Sequence, residues 1–487
     1  MEIDELAREL AVIRTSAGVL GWDQETWLPP AAVGHRANQL AWLAARAHEL
    51  AVSGRWKRAL EDTEAADDGN DPARRANLRE LRREFDRATK LPVELVARES
   101  AITSHAKHAW AEARNRNDFP AFAPHLEKLL GIAREKADLW GYEDEPYDAL
   151  LECHERGTST AAVADLFGSI KPALRETAAL AVEKSASRAV KLPAGSFPVS
   201  RQIEFNARVA EAVGFDFQAG RIDPTTHPFC TTLGPCDVRL TTRYDEEDFT
   251  SSLFGVLHEA GHGIYEQGLP DADFGLPSGS PVSLGIHESQ SRLWENHVGR
   301  SQAFWERWYP VACDLFPQLA GLPLDDFLAH VRRAAFTPIR VEADEATYDL
   351  HIILRFEIER RMLRGELAVG EVPAAWNESF RDLFGFVPEN DSDGCLQDIH
   401  WSMGGLGYFP TYTLGNLNAA QLFSAARENP EIASAIDAAD YAPLLGWLRE
   451  HIHAHGGTLD PAELMKQATG REPAAEDYLA HLRQRYL

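Results

Sequence analysis

The sequence predicts a mainly α-helical protein, a single large domain over residues 1–487 with one small β element near residues 236–244. Three observations carry this. Segments rich in Ala, Leu, Glu and Arg recur with apolar residues at helical spacing. Pro and Gly punctuate them as helix ends require (Pro29–Pro30, Gly69, Pro120, Gly157, Gly195, Pro388). A single stretch alternates with a period of two instead. The 487 residues carry Lys+Arg 49 against Asp+Glu 75, a net charge of −26, with 44% apolar and 25% charged residues. That composition is ordinary for a protein with a large core. The acidic excess argues against nucleic acid or an anionic membrane surface as partner.

The helical segments run over roughly 34–65, 73–88, 92–115, 120–141, 159–187 and 201–214, then 323–336, 341–368, 370–384, 417–427 and 439–455. No fixed-period repeat runs through them, which disfavours a solenoid. The N-terminal stretch has no basic region followed by an apolar one, so no secretory signal is expected. No segment approaches the ~18–20 apolar residues of a membrane span. Cys153, Cys230, Cys236, Cys313 and Cys395 are scattered without a CxxC pair. This fits a reduced cytoplasm and makes cysteine a poor metal cage.

In the β element, Asp237, Arg239, Thr241 and Arg243 alternate with Val238, Leu240, Thr242 and Tyr244, which reads as a half-buried strand. Asp245–Asp248 then places acids where a helix begins. That helix contains His258-Glu259-Ala260-Gly261-His262. With His258 at zero and about 100° per residue, His262 falls near 40° and Glu259 near 100°. Phe249, Leu253, Val256, Ala260 and Ile264 fall between roughly 160° and 240°. Two imidazoles thus share a face opposite the apolar stripe, a turn apart, as binding of one Zn²⁺ through nitrogen requires. A cation held there would make water acidic and polarise a carbonyl. Glu259 can take the water's proton and later pass it to a leaving amine.

A chance HExxH has a probability of about one in twenty in such a chain, and most chance copies would be solvated surface or core histidines. The phase opposite the stripe argues otherwise. So do Gly255, Gly261 and Gly263, each costing a helix ~1 kcal/mol relative to Ala and pointing to a close approach. A third ligand is expected from a second helix running back through 281–295, after the loop 268–280. Either His287 or Glu288 can reach the metal from there, and spacing does not choose between them. A carboxylate third ligand is one common arrangement in zinc hydrolases.

At this point the sequence resembles the carboxypeptidase Taq family of metallocarboxypeptidases across essentially its full length. Asp237-Val-Arg-Leu-Thr241 is similar to the family's DxRxT, His258–His262 to its HExxH and His287-Glu-Ser-Gln290 to HESQ. Ile339-Arg-Val-Glu-Ala-Asp344 is similar to IRxxAD, and Gly394-Cys-Leu-Gln-Asp-Ile-His-Trp401 to GxxQDxHW. Gly21-Trp-Asp-Gln-Glu-Thr26 also looks like a family segment. The resemblance implies His258, His262 and Glu288 as metal ligands and Glu259 as the catalytic carboxylate. It implies a saddle-like helical fold with a deep active-site groove, an N-terminal part of roughly 1–220 covering that groove and a catalytic part of roughly 221–487. It further implies a homodimer, one zinc per subunit with cobalt able to substitute, and stepwise release of C-terminal amino acids from peptides, with broad preference but poor tolerance of proline.

An exopeptidase must recognise a free carboxylate, for which an arginine fork is suited. Arg340 is the first candidate and Arg239 the second, against ordinary ion pairs: Arg340 with Asp344, Arg239 within its sheet. The Gly-rich loop after His400 carries donors able to stabilise a developing oxyanion. His400 with Tyr412, or less favourably Tyr408, is expected there, against the reading of a buried His and satisfied tyrosines. His451, His453 and His455 are expected to be structural or solvated, and Trp294, Trp305 and Trp308 to be core. The rival readings are a zinc endo-oligopeptidase or dipeptidase on the same scaffold, and a helical binding protein with a purely structural metal.

Overall fold

A computed structural model describes residues 2–487. Among the described residues it contains twenty α-helices and a single three-stranded sheet, so the mainly helical expectation holds. No described helix is long and apolar enough to cross a membrane. Backbone contacts divide the chain into two compact units, each built from three stretches. The first takes the chain up to Ala88, Val190–Val331 and Gly415–Ala474; the second takes Thr89–Ala189, Arg332–Leu414 and Ala475–Leu487.

In the first unit the sheet runs β1 (Gly220–Pro224), β2 (Cys230–Thr232) and β3 (Val238–Thr242), with β3 in the middle, parallel to β1 and antiparallel to β2. The expected alternation holds over Val238–Leu240, with Arg239 partly exposed between two buried residues, and fails at Thr241. Thr241 is fully buried because its hydroxyl bonds the Phe229 carbonyl at 3.0 Å and accepts from the Phe229 amide at 2.8 Å. The helix that follows, Phe249–Glu266, starts from Asp248, whose carboxylate accepts from the Thr250 amide at 2.9 Å, a standard N-cap. Phe249 anchors it among Phe197, Phe205, Trp305, Phe316 and Phe327. Trp294, Trp305 and Trp308 are buried in the same core, as the sequence suggests.

Other boundaries differ from the sequence reading for local reasons. The expected helix 34–65 is two, Val33–Ala51 and Gly54–Ala66, because the Ser53 hydroxyl caps a new start by accepting from the Trp56 amide at 3.0 Å. The N-terminal helix Glu2–Thr26, unread in the sequence, closes a hairpin in which Asp23 pairs with Arg36 at 2.7 Å. The helices Pro146–Leu151, Gln302–Leu315, Pro430–Asp437, Pro461–Thr469 and Glu476–Tyr486 likewise lie outside the segments that the sequence periodicity predicts. In the second unit the segment 341–368 is α-helical only over Tyr348–Arg364, after a 3-10 turn at Arg340–Glu342. This central, largely buried helix packs Phe356 edge-on against Tyr147 and Phe167.

Candidate active site

The helix Phe249–Glu266 is covered almost all round, Leu257 and Tyr265 being buried beside the expected apolar stripe. The side chains of His258 and His262 keep partial exposure, at 21% and 15%. The returning helix, Leu284–Arg292, continues as a wider π turn over Leu293–Val298. It can lie so close only because Gly261 lacks a side chain: a Cβ there would stand 2.5 Å from the Gln290 carbonyl oxygen and 2.6 Å from Ser291 Cα. Of the three helix glycines, Gly261 thus admits the returning helix, whereas Gly263 faces Leu240 and Phe215, each 2.8 Å from an added Cβ, and Gly255 faces Thr242 at 3.3 Å.

Glu288 projects from that helix between the two imidazoles. Its Oε2 lies 3.7 Å from His258 Nε2 and 3.5 Å from His262 Nε2, and one donor atom from each residue falls within 4.8 Å of the others. Tetrahedral N and O donors at ~2.0–2.2 Å from a zinc ion stand roughly 3.3–3.6 Å apart. The donor set and its spacing therefore fit one small divalent cation. His287, the alternative third ligand, turns away from this centre. Its Nδ1 lies 2.5 Å from His262 Nδ1 and its Nε2 2.9 Å from Glu266 Oε1.

Around these groups lies a set of partners that spacing does not reveal. Glu295 Oε2 stands 2.9 Å from His258 Nδ1. Arg292 donates to Glu288 Oε1 at 2.7 Å and to Glu295 Oε2 at 3.2 Å, and Ser291 Oγ donates to Glu288 Oε2 at 3.2 Å. Burial is the largest influence and would raise both carboxyls, but Arg292 and the neighbouring histidines together outweigh it and hold Glu288 and Glu295 well below the usual carboxylate range. Burial pushes His262 down to about 3, leaving it neutral as a ligand must be. At His258 burial is outweighed by Glu288 and Glu295, which raise it. Glu259 has no such cation. Burial raises it to about 7, opposed by His258.

The second unit gathers Arg340, His400, Tyr408 and Tyr412. Arg340 is buried, 6% exposed, and pairs not with Asp344 but with Asp398: Nε and Nη2 donate to Oδ1 at 3.0 and 2.8 Å. Its Nη1 donates to the Tyr348 hydroxyl at 2.8 Å. Asp344 instead accepts from the Ala335 and Ala346 amides at 2.8 and 3.0 Å. Arg355, fully buried, donates to the other Asp398 oxygen at 2.7 Å. His400 Nε2 lies 3.3 Å from the Tyr412 hydroxyl, with the Tyr408 ring 5.3 Å from both rings. Burial pushes His400 down to about 4, against the pull of Asp398.

The loop bearing these groups is anchored rather than loose. Buried Glu359 accepts from Trp401 Nε1 at 2.8 Å, from the Gly407 amide at 3.1 Å and from the Tyr147 hydroxyl at 2.8 Å. Glu359 escaped the sequence reading because its partners are remote in the chain. In the first unit, Arg239 is closed by a bidentate pair with Asp237 at 2.8 and 3.0 Å and lies over Trp22, 4.2 Å from a ring centroid. Among the three histidines, His453 turns fully inward to Gln290, 3.1 Å away, a structural role.

Two imidazoles from one helix, a carboxylate from the next and a buried glutamate beside them define a metal-dependent hydrolase. The chain belongs to the carboxypeptidase Taq (M32) metallopeptidase family, whose model matches residues 2–486, and it is a metallocarboxypeptidase. It is 40% identical to thermostable carboxypeptidase 1 of Thermus thermophilus, over 99% of this chain and 97% of that one. Its structure matches the M32 carboxypeptidase of Deinococcus radiodurans with a TM-score of 0.96 at 39% identity, over 99% and 98% of the two chains. Metallocarboxypeptidase 1 of Trypanosoma cruzi matches with a TM-score of 0.96 at 35% identity, over 100% and 98%. The family implies a divalent metal and peptide substrates.

Proposed function

We propose that this chain releases C-terminal amino acids one at a time from peptides with a free C-terminus, with broad preference but not at proline, using a single zinc ion held by His258, His262 and Glu288. The observation that carries this is the convergence of those three donor atoms beside buried Glu259. When bound, zinc supplies a Lewis acid that polarises the carbonyl and makes water acidic. Glu259, raised toward neutrality by its burial, accepts the proton of the attacking water and returns it to the leaving nitrogen. Cobalt can replace zinc in the same donor set.

His400 and Tyr412 are assigned to the oxyanion, with Tyr408 packing against them. Much of the Arg340 fork is committed to Asp398 and Tyr348. What Arg340 offers the terminal carboxylate is a fixed positive charge and the uncommitted part of its guanidinium. The Asp237 pair and Trp22 give Arg239 a structural role. Homodimerisation and a cytoplasmic location belong to the same proposal; light scattering and cell fractionation check them.

The test is a peptide supplied with a free and with an amidated C-terminus. Release of single residues from the free form alone supports the proposal. Equal cleavage of both forms favours the endo-oligopeptidase reading. Glu259→Gln should keep metal content and fold while abolishing hydrolysis, and undiminished turnover in that variant removes the mechanism.

A further inference from the structure

The two candidate imidazole ligands are held in different ways. His258 Nδ1 meets a carboxylate directly, Glu295 at 2.9 Å. At His262 the partner is a second imidazole, His287, with ring centroids 4.5 Å apart and Nδ1 facing Nδ1 at 2.5 Å. The far nitrogen of His287 then meets Glu266 at 2.9 Å. We propose that His287 and Glu266 are positioning residues that fix His262 in its metal-binding tautomer through this two-step relay. The inference rests on the reading of His262 as a ligand.

Proton counting gives the relay one sense. A lone pair on His262 Nε2, directed toward the centre, requires the hydrogen on Nδ1. His287 Nδ1 must then accept it, so His287 carries its own hydrogen on Nε2, where the Glu266 side-chain oxygen accepts. Reversing the sense puts a hydrogen on His262 Nε2, aimed at the centre, and sets the His287 Nε2 lone pair against a carboxylate. Glu266 therefore selects the ligating tautomer of a residue one turn earlier on its own helix, by way of the helix that carries Glu288. The relay also ties the two ligand-bearing helices together beside their ligands. The His287 ring is seated for this by Tyr265, 5.4 Å away centroid to centroid.

The test is the Zn²⁺ affinity of the full-length protein, measured by competition with a chromogenic chelator. Loss of such an outer partner costs about 10–100-fold in metal affinity. His287→Phe, which keeps a ring but offers no acceptor, should lose about that much. His287→Asn, which restores an acceptor near the Nδ1 position, should recover part of it. A role in packing alone predicts the opposite order, and parental affinity in His287→Phe overturns the proposal. Should that variant not fold, Glu266→Gln, which keeps an acceptor, is compared with Glu266→Leu, which has none; equal affinity in the two overturns the relay. His262→Ala tests the reading beneath: unchanged zinc binding there sinks the ligand assignment itself, whereas its loss with a parental His287→Phe sinks only the relay.

Discussion

Gly415 packs directly on Glu288: a Cβ added to this glycine would stand 2.5 Å from Glu288 Cγ and 2.6 Å from its Cβ. Those atoms lie near the helix backbone, so Glu288 cannot swing clear without moving its carboxylate relative to the two imidazoles. Gly415→Ala should therefore weaken zinc binding by about 10-fold or more and destabilise the fold by ~1–3 kcal/mol through overpacking. Chelator competition and denaturant unfolding check the two effects. Parental affinity would show that the helix Pro410–Arg427 does not seat the carboxylate.

Glycines elsewhere should answer in the opposite direction. Gly131 and Gly168 lie on exposed faces of the helices Phe119–Trp140 and Thr160–Ser187, and a Cβ at either would meet nothing within 4 Å. Alanine at each removes the helical cost of glycine without a clash and should stabilise by ~0.8–1 kcal/mol. A rise in the urea midpoint at constant slope is the expected reading.

The contrast marks what was legible in the sequence. His258, Glu259 and His262 lie within one helical turn or so, where periodicity alone sets their relative directions. Glu288 and His287 are sequence neighbours that differ by about 100° around a helix. Which one faces the imidazoles depends on how that helix packs, and the contact at Gly261 decides it. Arg292, Glu295 and Glu266 are local in sequence but gain meaning only once two helices cross. Gly415, Glu359 and Asp398 act over separations that no spacing rule covers. Ser53, by contrast, acts locally, capping a new helix inside the run 34–65 whose periodicity reads as continuous.

Glu359 gives a pH prediction in the second unit. Burial outweighs its three donors and raises it from 4.5 to about 7, a shift corresponding to ~3 kcal/mol. The folded state therefore binds this proton more tightly than the unfolded chain. The stability that the proton contributes is complete below about pH 4.5 and is lost as pH rises through 7. Glu359→Gln cannot titrate, and its amide N–H₂ must face one of the three donors, costing ~1–3 kcal/mol. The variant should be less stable than the parent at pH 5, with the gap narrowing toward pH 8. A gap independent of pH, measured by denaturant titration across that range, would exclude this group as the titrating one.

Chelation should leave the fold standing, because each candidate ligand already has a protein partner. Glu288 is bonded by Arg292 at 2.7 Å, His258 lies 2.9 Å from Glu295 and His262 2.5 Å from His287. Far-UV circular dichroism should be unchanged in the metal-free protein, with hydrolysis lost. Zinc at about 100 times its dissociation constant should add ~2.7 kcal/mol of stability. Arg292→Leu breaks this independence. It removes the cation shared by Glu288 and Glu295, leaving two buried carboxylates whose loss of a partner costs on the order of 3–5 kcal/mol. Bound zinc replaces part of that missing charge. The variant should therefore be far less stable than the parent without metal and should gain more melting temperature on zinc addition than the parent does. An equal gain in both proteins would mean that Arg292 does not balance the site's charge.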